Sequence, residues 1–151
     1  MNGMGNRSLN DLPGATDPGY YFVEQESLPD LLNALKECDF EVWEVIGSRI
    51  RDDVTLFDEV VRNLGGSPAF GYNWDAFRDV VRDLPRVGAR RAIVWHEFSA
   101  SLKQNLGVTL EALYLMREIA KMLLPIGCLG IYLLGQGKDY PPFVWNASSP
   151  S

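Results

Sequence analysis

The chain has 151 residues, of which 46% are hydrophobic and 23% are charged. This is the size and composition of one globular domain rather than of a disordered chain or a membrane protein. The 20 acidic and 14 basic residues give a net charge of −6, and a negative protein repels nucleic-acid phosphates and attracts a cationic partner. Composition therefore argues against direct binding to nucleic acid.

Cysteine usage and hydropathy limit the possible classes further. Cys38 and Cys128 have neither the spacing nor the histidine neighbours of a zinc site, so we expect reduced core thiols, no metal and no other cofactor. Residues 1–19 lack the apolar run of a signal peptide, and no apolar stretch approaches the ~20 residues that span a bilayer. We therefore expect a cytoplasmic protein without membrane contact.

The chain is expected to form one domain. Residues 1–19 are rich in Gly, Asn, Pro and Asp and are predicted to be a flexible leader, and residues 146–151 a flexible tail. The domain then spans 20–145, with its core at 41–134.

The first predicted elements are a strand at 20–23 and a short helix that Ser27 caps and that ends near Glu37. Residues 40–50 are rich in Val, Ile and Trp, which favours a core strand covered on both faces, as parallel strands usually are.

Asp52 or Asp53 can cap the next helix. Its apolar stripe ends at the glycine pair 65–66 and consists of Leu56, Phe57, Val60, Val61 and Leu64. Glu59 lies outside that stripe and is expected to be exposed.

Two more buried strands are predicted at 92–95 and 129–134, and a helix from about Thr109 to Leu124 precedes the second of them. The stretch 99–107 is either a loop or a partial helix. Strands that alternate with helices predict an α/β fold with a mainly parallel sheet.

The segment 68–84 contains the most informative pattern. Asn73 can cap a helix whose inward side consists of Trp74, Phe77, Val81 and Leu84. On the opposite side, at spacings of four, lie Asp75, Asp79 and Asp83, which we call the acidic ridge; they are flanked by Arg78 and Arg82. The carboxylates are therefore expected to face solvent.

Two interpretations of the acidic ridge remain open on helix physics alone. It is an ordinary solvated face if the helix dipole stabilises Asp75 and if Asp75–Arg78 and Asp79–Arg82 form ion pairs. It is an interface if the preceding aromatic loop of Phe70, Gly71 and Tyr72 acts with the acids to receive a cation.

The segment Phe-Gly-x-Asn-Trp-Asp-Ala at 70–76, with a second Asp four residues after the first, resembles the signature segment of the barstar family of ribonuclease inhibitors. The similarity covers about 41–134 and keeps the family's order of strand, helix, loop and acidic helix. It implies a small α/β fold with a three-stranded parallel sheet. Residues 1–38 have no counterpart in the minimal inhibitor, and their predicted strand and helix suggest an added edge element.

The same resemblance implies an inhibitor and not an enzyme. The loop and the acidic helix would enter the active-site cleft of a small basic ribonuclease toxin, and a monomer would form a 1:1 complex as an antitoxin or immunity protein. The implied contact residues are Phe70, Gly71, Tyr72, Asn73, Trp74, Asp75, Arg78, Asp79, Asp83 and Glu118.

Within that set, the resemblance places Asn73, Asp75 and Asp79 on the family's main contacts, with Asp79 on the central carboxylate that meets catalytic arginines and a histidine. Glu118 falls on an acid of a second helix that contacts a basic residue of the enzyme. Three positions depart from the family's best known member: Ala69 stands for a tyrosine, and Arg78 and Leu84 for tryptophans. The partner's surface is therefore expected to differ.

Two other classes of function are alternatives to an inhibitor. An enzyme could use Asp75 with Asp79, or His96 with Glu97, for proton transfer. Adjacent residues at a strand end point in different directions, however, and neither a nucleophile motif nor a phosphate-binding loop is present. The other alternative is a binding or regulatory module of the same fold whose partner is a non-nuclease protein.

Overall fold

The computed structural model describes Leu12 and residues 19–65, 71–84, 90–123 and 127–136. Within these residues there are four strands and five helices. The strands are β1 (Gly19–Glu24), β2 (Glu41–Ile46), β3 (Arg90–His96) and β4 (Cys128–Gly135). The helices are α1 (Leu28–Glu37), α2 (Asp53–Asn63), α3 (Trp74–Arg82), α4 (Phe98–Gln104) and α5 (Leu106–Leu123).

The strands form one parallel sheet in the order β1-β4-β3-β2. The central strands β3 and β4 are buried along almost their whole length, as continuous apolar runs in parallel sheets usually are. β1 pairs with β4 at the edge of the sheet. This confirms the α/β fold and the predicted edge element before the family-like core.

The strand predicted over 40–50 is covered on both faces, with Val45 in one core and Val42 against the other, but it is shorter than predicted and is not a central strand. β2 ends at Ile46 and is followed by a 3-10 turn, Gly47–Arg49. It is the other edge strand, and within it only Val45 is fully buried. The turn packs against the end of β3, where a side chain at Gly47 would clash with the carbonyl groups of His96 and Glu97.

Helices cover both faces of the sheet. Because side chains alternate along a strand, Ile93 and Trp95 of β3 face a core shared with α2, α3 and α5, whereas Ala92 and Val94 face a second core beneath α1. Leu12 belongs to the second core and is 3% exposed, although it falls in the predicted leader. The sheet is thus the middle layer of three.

Local capping explains where several helices begin. Asp52 rather than Asp53 caps α2, in a reciprocal pair of hydrogen bonds with Thr55. The stretch 99–107, predicted as either a loop or a partial helix, is helical over most of its length, since α4 extends to Gln104. α5 begins three residues earlier than predicted because Asn105 Oδ1 accepts the N–H of Val108. Ser27 stands at the cap position of α1, but its side chain makes no capping hydrogen bond.

The expectation that Glu59 is exposed is wrong. Its side chain is 1% exposed, and its carboxylate accepts hydrogen bonds from the N–H of Ile46 at 3.0 Å and from Asn63 Nδ2 at 2.9 Å. Arg62 lies at 3.1 Å and Arg49 at 3.5 Å. Glu59 therefore satisfies a backbone donor at the end of β2 and joins α2 to the sheet.

Both cysteines are buried and unbridged, as expected. Burial raises the pKa of the Cys128 thiol, which keeps that group protonated at neutral pH. No helix within the described ranges has the length and apolar content that crossing a lipid bilayer requires.

Candidate protein-interaction surface

The start of α3 is built around Asn73. Its backbone is extended (φ −142°, ψ 171°), and its Oδ1 accepts the N–H of Ala76 at 2.8 Å. Its Nδ2 donates to the carbonyl of Gly71 at 3.2 Å. A Cβ at position 71 would lie 2.8 Å from that nitrogen, so the close turn at Gly71 favours glycine. The predicted cap is confirmed.

Aromatic side chains hold this turn against α2. The buried ring of Phe57 lies edge-on to Tyr72 and Trp74, with centroid separations of 6.2 and 5.3 Å. Phe77 lies 6.5 Å from Phe57 and 5.6 Å from Trp74. Such edge-to-face pairs add stability beyond apolar burial. Trp74 is therefore half-buried in this cluster, whereas Phe70 lies outside the described residues.

The acidic ridge faces solvent, as the helical spacing predicted. Asp75 is exposed, and the side chains of Asp79 and Asp83 are 62% and 65% exposed. The inward side is confirmed by the burial of Phe77 and Val81.

The helix ends earlier than the pattern suggested. Its last residue is Arg82, and the backbone of Asp83 (φ −100°, ψ 19°) turns out of the helical region. Asp83 nevertheless donates its N–H to the carbonyl of Asp79 at 2.9 Å, so the acidic ridge continues one residue past the end of α3.

The two arginines beside the ridge have different surroundings. Arg82 lies between two carboxylates, 3.0 Å from Asp79 and 3.1 Å from Asp83. Its hydrogen bond to Asp83, together with the charges of both aspartates, raises its pKa. The possible Asp75–Arg78 pair is absent, and neither side chain forms an ion pair within the described part of the chain. Asp75 and Arg78 are thus open to a partner.

Glu118 lies on α5, which packs beside α3. Its side chain is 41% exposed, 3.7 Å from Lys121 and 3.9 Å from Arg117. No hydrogen bond or ion pair connects it to α3 among the described residues. The structure therefore puts Glu118 on a neighbouring helix but does not join it directly to the acidic ridge.

Comparison with known families identifies one family model that matches the chain. The family model Barstar (barnase inhibitor) matches residues 40–126, which is more than half of the chain. The chain belongs to the barstar family. Members of this family are ribonuclease inhibitors and not enzymes. No curated protein sequence matches the chain significantly.

The barstar match covers the elements from β2 to α5, including α3 with the acidic ridge, whereas β1 and α1 precede it. Two of the departures from the best known barstar have clear structural outcomes. Arg78 is exposed beside the ridge, and Leu84 is 2% exposed in the core and so is unavailable as a contact. Ala69 lies outside the described residues.

His96 and Glu97, the rival proton-transfer pair, have separate partners. His96 Nε2 lies 2.6 Å from Glu44 Oε1, whereas Glu97 accepts a hydrogen bond from Ser48 Oγ at 2.8 Å. This agrees with the argument that consecutive residues at a strand end diverge.

Sequence reasoning missed Asp58. Its Oδ1 accepts a hydrogen bond of 2.7 Å from the hydroxyl of Tyr72. The two residues are 14 positions apart on different elements, so no helical or strand period relates them. The pattern could show only that Asp58 follows the core residue Phe57.

Proposed function

We propose that this protein inhibits a ribonuclease by placing α3 and the preceding loop in the enzyme's active-site cleft. The observation that carries the proposal is an exposed acidic ridge on a helix anchored by an aromatic cluster, in a chain of the barstar family. The carboxylates would occupy the positions of substrate phosphates without offering a scissile bond. The protein itself would neither cleave RNA nor bind it at physiological salt.

The electrostatics of α3 favour an interface over an ordinary solvated face. Of the three carboxylates of the acidic ridge, Asp79 and Asp83 share one arginine, and Asp75 forms no ion pair within the described part of the chain. An exposed pair such as Asp79–Arg82 adds ~1 kcal/mol or less to stability. The ridge therefore contributes little to folding, whereas a desolvating cationic cleft would make its charges important.

The partner that fits is a small basic ribonuclease toxin, bound 1:1 by a monomeric inhibitor in the cytoplasm. Self-protection from a secreted nuclease and immunity against a competitor's nuclease would use the same surface. The exposed guanidinium of Arg78 indicates that the nuclease carries an acidic group beside its basic cleft.

A capture experiment tests the proposal. The tagged protein is expected to retain a small basic nuclease from its source organism and to abolish RNA cleavage at near-equal molar ratio. Its association rate should fall steeply as salt increases, because charges more than ~8 Å apart are screened at 0.15 M. Inhibition that requires turnover, or a rate independent of salt, would contradict the mechanism. Retention of a basic protein without nuclease activity would support the regulatory module instead.

A further inference from the structure

The hydrogen bond between Tyr72 and Asp58 connects the proposed binding loop to a helix outside the expected contact set. The phenol oxygen lies 2.7 Å from Asp58 Oδ1. Tyr72 is 44% exposed and Asp58 is half-buried. The bond is therefore exposed to solvent, at the edge of the proposed binding surface.

Tyr72 has a backbone conformation that needs support. Its φ is +49°, in the left-handed region that residues with a Cβ rarely adopt. Two described contacts of its side chain hold it there: the hydrogen bond to Asp58 and the edge-on packing against Phe57. Tyr72 directly precedes Asn73, the residue that caps α3. Its conformation therefore sets the direction in which α3 leaves the loop.

We propose that Asp58 is a positioning residue whose carboxylate holds Tyr72, and thereby fixes the loop before α3 in the conformation that presents the acidic ridge to its partner. The inference rests on the proposed function only where it identifies the ridge as the binding surface. A loop that is ordered before binding loses less conformational entropy in the complex, so Asp58 increases affinity through Tyr72 although it is not itself one of the expected contact residues.

Charge and hydrogen bonding at Asp58 can be separated by substitution. Asp58→Asn removes the negative charge but keeps an oxygen that accepts from the phenol, whereas Asp58→Ala removes both. Tyr72→Phe removes the donor and keeps the ring against Phe57. Glu111→Ala removes a carboxylate from an exposed position on α5 and serves as the charge control.

The free protein provides the first measurement, which does not depend on any partner. The N–H groups of Ala76 and Phe77 donate hydrogen bonds to Asn73. Their hydrogen exchange should be about fivefold faster in Asp58→Ala and in Tyr72→Phe, as expected from the loss of one hydrogen bond. Asp58→Asn and Glu111→Ala should exchange like the wild type. The pKa of Tyr72, raised mainly by its hydrogen bond to Asp58, should fall in Asp58→Ala.

The complex provides the second measurement. Asp58→Ala and Tyr72→Phe should each weaken binding about fivefold, and the double variant should be no weaker than either single one. Asp58→Asn should bind almost as the wild type does. Equal losses in Asp58→Asn and Asp58→Ala would show a charge effect and overturn the inference, as would unchanged exchange in Asp58→Ala. If the wild type binds no nuclease, the proposed function fails, and the exchange rates still decide whether Asp58 positions the loop.

Discussion

Acidic side chains on the neighbouring helices α2 and α3 have opposite surroundings. Glu59 is buried and accepts a backbone hydrogen bond at the end of β2, whereas Asp79 is 62% exposed with one arginine beside it. The difference lies in the groups around each carboxylate and not in its chemistry. A buried carboxylate that accepts several hydrogen bonds stabilises the folded state. An exposed carboxylate beside an anchored loop contributes little to folding and is available to a partner.

The largest effect on stability is expected for Glu59→Ala. It leaves the N–H of Ile46 and the amide of Asn63 without their acceptor and removes the anion between Arg49 and Arg62. We expect a loss of about 3 kcal/mol in unfolding free energy, since both arginines are half exposed and retain water. Urea unfolding measures this change. A loss below about 1 kcal/mol would mean that Glu59 contributes no more to folding than an exposed carboxylate on α3 does.

A smaller loss of unfolding free energy is expected for Asn73→Ala. Asn73 caps the helix that carries the acidic ridge but is not one of the ridge residues, so its contribution to folding can be compared with theirs. The substitution removes the acceptor of the Ala76 N–H and the donor to Gly71. Loss of such a cap costs about 1 kcal/mol, measurable by urea unfolding. Asn73→Asp keeps an acceptor for the Ala76 N–H and should be the milder change; equal losses in both variants would mean that the cap is not the cause.

The smallest effect on stability is expected at Asp52, an exposed acidic residue that stabilises the fold because its side chain caps α2. The hydrogen bond from the Thr55 N–H lowers the pKa of its carboxyl group below the ordinary value of an aspartate. Because the folded pKa is the lower one, its contribution is complete above about pH 4 and is lost as pH falls through the folded pKa. Asp52→Asn caps without a charge, so its stability deficit relative to wild type should shrink on acidification.

Unfolding curves between pH 5 and about pH 2.5 would show this trend. A deficit that is constant across the range would mean that the Asp52 charge is not linked to folding.

Sequence patterns predicted the elements that depend on local periodicity. The apolar side of α3 and its cap at Asn73 follow from a spacing of three and four and from one side chain that accepts a nearby N–H. The continuous apolar runs of β3 and β4 likewise predicted buried parallel strands.

The features that sequence reasoning missed depend on non-local contacts. The burial of Glu59 depends on the N–H of Ile46, 13 positions away, and the left-handed Tyr72 is held by Asp58. The edge position of β2 follows from strand order, which composition does not encode. In the proposed binding surface, the orientation of the acidic side chains was predictable, whereas the contacts that support the loop were not.

Asp79→Ala tests most directly whether the acidic ridge serves binding and not folding. The variant loses its exposed ion pair with Arg82, worth a few tenths of a kcal/mol, and is relieved of repulsion from Asp75 and Asp83. Unfolding free energy should therefore change by less than about 0.5 kcal/mol.

Dissociation of the nuclease complex is the decisive measurement, made beside Glu111→Ala as an exposed control on α5. Loss of a carboxylate desolvated against arginine or histidine typically costs 2–5 kcal/mol, so dissociation of Asp79→Ala should be faster by about thirtyfold or more. Glu111→Ala should dissociate like the wild type. A large loss of stability in Asp79→Ala with unchanged dissociation would show that Asp79 belongs to the fold and that the partner binds elsewhere.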